Sequence, residues 1–494
     1  MGRLSRLTST RTSHAWSVMR NIGQNPVVLF TASRYLGYAM QFVRGILVAK
    51  FLGPYLFGIW GFLTLMQQYL MYTGFGFQHA INVELAVNAL SDKERQAKYI
   101  NVAWTMTLLI AVLLAVIGAY VQFRDVPLFT KYNFYQYTFA LSLIVGLSHL
   151  KEVFSNIYRV YGQLNRIMLG EILVATLPLI VVFFYRDEAL ILAVLAATCV
   201  SSLIAILIFI IRPPFALALE FDFPAAWQMM AIGIPLLVYT LSYALITTMG
   251  RTVVSIFYSV EELGYFSLAN SITYATLLGL RAVTWVVFPS ILTKTRDGLP
   301  DDEVRKIVNK VNDLYSTAVF LVVFIMILLT PLLNIFLPQY KPVVSILSVM
   351  LVMQAVLSVI FGYNTIAVAR NQQLKVAGIS IIAVIFITLL SGLIGLLKWD
   401  VFWIAIVMLG GSILFVVLQA QLGSRLMNNG NIQKGYLTDV LPLGSMIAMA
   451  FFVVGSIMNT PAPFGVIGLV VFLISRRHSI QQLSSFAWNK FQSG

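Results

Sequence analysis

The feature that most constrains this chain is its long apolar stretches free of charge. Residues 191–211 and 319–337 contain no Asp, Glu, Lys or Arg, and each is close to the ~20 residues that a helix needs to cross a bilayer. Of the 494 residues, 59% are hydrophobic and 11% charged, against about 45–50% and about 25% in soluble domains. No soluble fold could bury so much apolar surface. The apolar residues come in blocks rather than in alternation, which excludes a transmembrane barrel.

The pattern predicts an all-α, polytopic membrane protein of about 14 transmembrane helices, near residues 27–50, 55–78, 99–121, 133–155, 167–185, 189–211, 226–250, 263–291, 311–336, 343–365, 375–397, 401–422, 440–458 and 463–475. Asn25 and Pro26 suit the start of the first helix. The basic stretch 1–25 lacks the apolar core of a cleavable signal, so the first helix is expected to serve as a retained anchor. Placing both termini in the cytoplasm puts 22 Lys and Arg in inner segments and 7 in outer ones, the bias expected of a bacterial inner or other plasma membrane protein. The net charge of +14 is therefore read as topology, with no nucleic-acid partner. Cys199 is the lone cysteine and there are four histidines, a poor set of metal ligands.

The two halves repeat. At an offset of 206, Phe51 pairs with Phe257 and Gly58 with Gly264; at 208, Tyr132 pairs with Tyr340, Asn156 with Asn364, Val160 with Val368 and Gly170 with Gly378. Six helices separate matching elements, so the repeat is parallel: two six-helix lobes related by a pseudo-two-fold axis along the membrane normal, plus two C-terminal helices. The expected divisions are a basic tail at 1–25, an N-lobe at 26–222, a C-lobe at 223–435, the extra helices at 436–475 and a cytoplasmic tail at 476–494.

Several polar residues fall inside the apolar segments, where each charge costs about 2.5–3.5 kcal/mol on insertion scales. Arg34, Gly37, Gln41 and Arg44 step by 3, 4 and 3 along one face of the first helix. Gln68, Tyr72 and His79 share a face of the second, Tyr243, Thr247 and Arg251 of the seventh, and Ser267, Asn270, Tyr274 and Arg281 of the eighth. Such stripes at helical spacing are expected to meet across a wet cleft. Lys151 beside Glu152 is expected to form a local pair, while Glu84, Glu171 and Asp313 suit solvated or capping positions near helix ends. His79 reads as an interface histidine. Prolines 178, 235, 289, 331 and 442 permit bends.

Phe51-Leu-Gly-Pro-Tyr-Leu-Phe-Gly58, Gly264-Tyr-Phe-Ser-Leu-Ala269, Pro289 and Tyr161-Gly-Gln-Leu-Asn-Arg166 resemble, in order and spacing, the polysaccharide or O-antigen flippases of the multidrug/oligosaccharidyl-lipid/polysaccharide exporter superfamily. The resemblance covers residues 26 to about 430. It implies alternating access and export of a polyprenyl-pyrophosphate-linked oligosaccharide to the outer leaflet, with cleft arginines that match Arg34, Arg44, Arg251 and Arg281 here. Gln41, Gln68, Tyr72, Asn270 and Tyr274 are the expected sugar contacts. Membrane lipids and polysaccharide polymerase or assembly proteins are expected partners. No cofactor is expected, and coupling to an H+ or Na+ gradient stays open. The alternatives are a drug or organic-cation antiporter, which calls for acidic residues deep in the cleft, and a membrane glycosyltransferase, polymerase or ligase, which calls for a large outer loop.

Overall fold

The computed structural model describes residues 26–88, 93–278, 280, 301–428, 431–432, 436–458 and 460–492. All regular secondary structure among them is helical. Helix α1 runs Pro26–Leu70 and is broken at Gly53, whose φ of 68° and ψ of 173° lie outside the helical region, with Pro54 following. Glycine tolerates that backbone and proline cannot continue the ladder behind it. One continuous element thus serves as the first two expected helices. A 3-10 turn at Met71–Gly74 leads to α2 (Phe77–Asn88), followed by α3 (Lys93–Phe123), α4 (Thr138–Val160), α5 (Leu164–Val181) and α6 (Asp187–Ile210).

The second half holds α7 (Phe223–Phe257), α8 (Val260–Thr276), α9 (Asp301–Leu329), α10 (Val343–Ser358), α11 (Phe361–Ala369), α12 (Gln373–Leu396) and α13 (Phe402–Met427). Helices α14 (Leu443–Ile457) and α15 (Pro461–Ser475) come next. Among the described residues eight helices are long and apolar enough to cross a membrane, or up to ten if each of two bent pairs counts as one span. The protein is a multi-pass membrane protein. Its tail beyond 475 is a further helix, α16 (Arg477–Gln492), turned by 77° from α15.

Local sequence sets several of these ends. Ser259 and Glu262 form a reciprocal capping box at the start of α8. Asp222 caps α7 by accepting from the Ala225 N–H, ahead of Pro224. Lys98 Nζ lies 2.5 Å from the Asp222 carboxylate, and that bond holds the carboxyl below the ordinary aspartate range.

The repeat is visible as reciprocal contacts. Gly58 packs on the Val260 carbonyl and Gly264 on the Pro54 carbonyl, so closely that a Cβ would lie 1.9 Å and 2.2 Å from those oxygens. Both glycines and both partners are related by 206 residues. Tyr132 Oη donates to Ser255 O at 2.7 Å, and Tyr340 Oη to Ala49 O at 2.9 Å; again the members correspond, at 208 and 206. Gly61 faces its own repeat partner Ser267. A self-complementary set of this kind is what a two-fold axis produces, here between the second limb of α1 and α8. At the opposite end of the bundle, Gly76 meets Gly233 backbone to backbone.

Candidate functional site: a polar chamber on the pseudo-two-fold axis

The axis passes through a chamber of about 410 Å³. Its walls come from both limbs of α1 and from α7 and α8, and its polar lining includes Gln41, Arg44, Gln68, Arg251, Asn270 and Tyr274. Offset arithmetic explains the meeting: Gln68 corresponds to Tyr274 and Thr64 to Asn270 at 206, and Arg44 to Arg251 within one residue of that offset. Each half therefore supplies one guanidinium to the chamber, from positions one residue out of register.

Arg251 is 6% exposed. Its Nη2 donates to Gln68 Oε1, while its Nε and the Ser267 hydroxyl are buried without a hydrogen-bond partner among the described residues. Burying a charge with part of its donor set unused is costly, so the chamber presents donors suited to an incoming acceptor. No carboxylate lies among the described residues that line it. Beside it, Tyr69 Oη and Thr252 Oγ1 approach to 2.5 Å, tying α1 to α7. A third space, of about 300 Å³, shares Tyr38, Phe42, Ala275 and Leu278 with the chamber and continues past Tyr35, Ala39 and Met326. It gives the polar chamber a side branch with a mostly apolar wall.

Not all of the expected residues gather there. Arg34 shares a helix face with Arg44, yet opens on a separate cavity of about 370 Å³ whose lining comes from the first half. Its guanidinium lies 5.6 Å and 6.0 Å from the Phe30 and Tyr38 rings. His79 lines the same cavity. Tyr72, one turn beyond Gln68, lies within electrostatic range of Glu152, another residue of that lining. Tyr243 packs against Phe415. Arg281 and Pro289 lie outside the described residues, as does Asn25.

The acidic residues also find partners that spacing did not suggest. Lys151 pairs across helices with Glu171 at 3.3 Å, rather than with its neighbour Glu152. Glu84, near the end of α2, pairs with Arg95 at 3.7 Å, whereas Asp313 lies well inside α9, which begins at Asp301 and not near 311, and pairs with Arg476 at 2.7 Å. Thr64, Ser271 and Trp60, all in the chamber, went unnoticed in the sequence; the 206 offset from Asn270 singles out Thr64.

The profile of a family described as "Polysaccharide biosynthesis protein" matches residues 47–339. No curated protein gives a significant match. Among solved structures, the lipid II flippase MurJ in an inward closed conformation superposes with a TM-score of 0.67 at 15% identity, covering 94% of this chain and 99% of that one. A multidrug resistance MATE family transporter of the MOP superfamily, inward-facing, gives 0.63 at 14%, covering 80% and 95%. A MOP superfamily transporter from Pyrococcus furiosus, described as having a binding pocket of reverse polarity, gives 0.55 at 15%, covering 82% and 95%. At these identities the likeness is one of fold.

Proposed function

The chain belongs to the polysaccharide biosynthesis protein family, and from that premise we propose that it is a flippase that carries a polyprenyl-pyrophosphate-linked oligosaccharide from the cytoplasmic to the outer leaflet of the cell membrane. The observation that carries this reading is that each half contributes an arginine, Arg44 and Arg251, to one chamber with no carboxylate among the described residues that line it. A pyrophosphate is itself close to two-fold symmetric, and two opposed guanidiniums can each take one phosphoryl group. Arginine bonds phosphate oxygens through a planar fork and stays charged. An unpaired anion crossing hydrocarbon would otherwise face tens of kcal/mol in the Born limit.

Gln41, Gln68, Asn270 and Tyr274 then contact sugar hydroxyls, and the apolar side branch at Tyr35 and Met326 keeps the prenyl tail in contact with lipid. Alternating access follows from moving the two halves about the shared axis. The alternative, an organic-cation antiporter, fits a chamber lined by arginine poorly. The fold shared with the lipid II flippase supports lipid-linked cargo over a glycosyl-transfer reaction. Both termini in the cytoplasm and assembly with a polysaccharide polymerase belong to the same proposal.

The test is reconstitution in liposomes with extracted lipid-linked oligosaccharides, scoring exposure of the sugar on the opposite leaflet. R44A, R251A and R281A should each lower the flipping rate by about tenfold or more, the loss of a charge-assisted contact, with protein levels unchanged. Wild-type rates in R44A and R251A, or chemical alteration of the sugar, would refute the assignment.

A further inference from the structure

Among the described residues, the first-half cavity is lined by three cations and two carboxylates, Arg34, Lys151, Arg159, Glu152 and Glu171. Lys151 is paired with Glu171. Arg159 donates to Asn82 Oδ1, and Asn156 Nδ2 donates to Gln78 O at 2.9 Å, so separate polar contacts tie α4 to α2 and to α5 around the cavity. Arg34 and Arg159 both face this cavity. Three formal positive charges against two negative leave an excess suited to an anion.

The repeat shows that the fold does not require this cluster. At the 208 offset that aligns this stretch, Lys151 corresponds to Val359, Glu152 to Ile360, Arg159 to Ala367 and Glu171 to Ile379. Val359, Ile360 and Ala367 are at most 1% exposed. The corresponding positions are therefore apolar in the second half, where Val359 and Ile360 fall at a 41° bend between α10 and α11 while α4 runs on unbroken. Gathering ionisable groups between packed helices costs free energy, and the second half manages without them.

Arg34 and Arg44 stand ten residues apart on one helix, a rise of about 15 Å. The second cavity lies toward the end of the bundle where α1 begins and where Gly76 meets Gly233. We propose that the cavity walled by Arg34, Arg159 and Lys151 is a second phosphoryl-binding station, separate from the central chamber, which holds a phosphate or diphosphate group on its way to or from Arg44 and Arg251. This role in the path rests on the flippase reading; anion binding by the cavity does not. Glu152 and Glu171 keep the excess at one charge, so that the anion is held and released rather than trapped.

The experiment is equilibrium binding of radiolabelled inorganic pyrophosphate to the purified full-length protein, with a short-chain prenyl pyrophosphate as the second probe. The wild type should bind in two steps. The R34Q/R159Q double variant should lose one step, weakened by about tenfold or more, and R44Q/R251Q the other. E152Q raises the excess of positive charge and should tighten the first step severalfold; thermal melting of each variant, and R159K as the conservative control, keep misfolding apart from lost binding.

A single step removed by R44Q/R251Q and untouched by R34Q/R159Q overturns the second station and leaves the flippase standing. Weaker binding in a folded E152Q protein also overturns it, since that would mark a cation or proton site. A first step lost in R34Q/R159Q from a protein that moves no lipid-linked sugar across the liposome bilayer upholds anion binding by the station and sinks the flippase reading. Displacement of the labelled pyrophosphate by the prenyl probe and by unlabelled pyrophosphate alike assigns the first step to the phosphoryl group itself; a first step seen with the prenyl probe but not with inorganic pyrophosphate assigns it to the lipid and overturns the phosphoryl station.

Discussion

At the scale of single residues, the decisive contact is the hydrogen bond from Arg251 to Gln68, because it fixes a buried charge of the second half against the first. Replacing Gln68 with leucine removes the acceptor and leaves the guanidinium less satisfied, a cost of about 1.5–3 kcal/mol. The expected result is a lower melting temperature in detergent together with slower flipping. Gly53 gives a cleaner backbone case. With φ at 68°, G53A places a side chain in a strained region and should cost about 1 kcal/mol, read by the same melting measurement, and nothing within 4 Å of its Cβ position adds a clash.

At the scale of elements, helix ends and helix crossings carry different consequences. The Asp222 cap of α7 is strengthened by Lys98. Because its carboxyl is held below its unfolded value, the stabilisation is present above the ordinary aspartate pKa and is lost as pH falls through the lowered one. The melting difference between D222N and wild type should therefore be seen at neutral pH and vanish in acid. The crossing of Gly76 with Gly233 admits no side chain, since a Cβ on Gly233 would stand 2.2 Å from the Gly76 carbonyl oxygen. G233V should wedge this end open: a cysteine placed at Asn82 should react faster with a water-soluble maleimide than in the wild-type background, and flipping should slow. Cys199, the single native thiol, is removed first.

At the scale of the whole molecule, the reciprocal tyrosines act as a pair. Tyr132 and Tyr340 bind carbonyls of the opposite half at symmetry-related places, so Y132F and Y340F should each cost about 1 kcal/mol and loosen the same end of the bundle. The two changes should shift labelling of that end in the same direction; opposite shifts would deny that the contacts form one gate.

Much of this was written in the sequence, and for a definite reason. Hydropathy reports on the solvent around a segment, so the membrane class follows from composition and the helical character of the chain from the order of its apolar runs. The offset of 206 to 208 related Gly58 to Gly264 and Tyr132 to Tyr340 as equivalent positions, and the structure gives the members of each pair equivalent contacts. Periodicity likewise put Gln41 beside Arg44 and Asn270 beside Tyr274, and each pair lines the chamber. Periodicity sets the angle of a side chain about its own helix axis, but not which neighbour covers that face at each height. Arg34 and Arg44 share one face and still enter different cavities, and Lys151 takes Glu171 from another helix over the adjacent Glu152. Those choices belong to packing between helices far apart in the chain, where only the folded arrangement decides which charges meet.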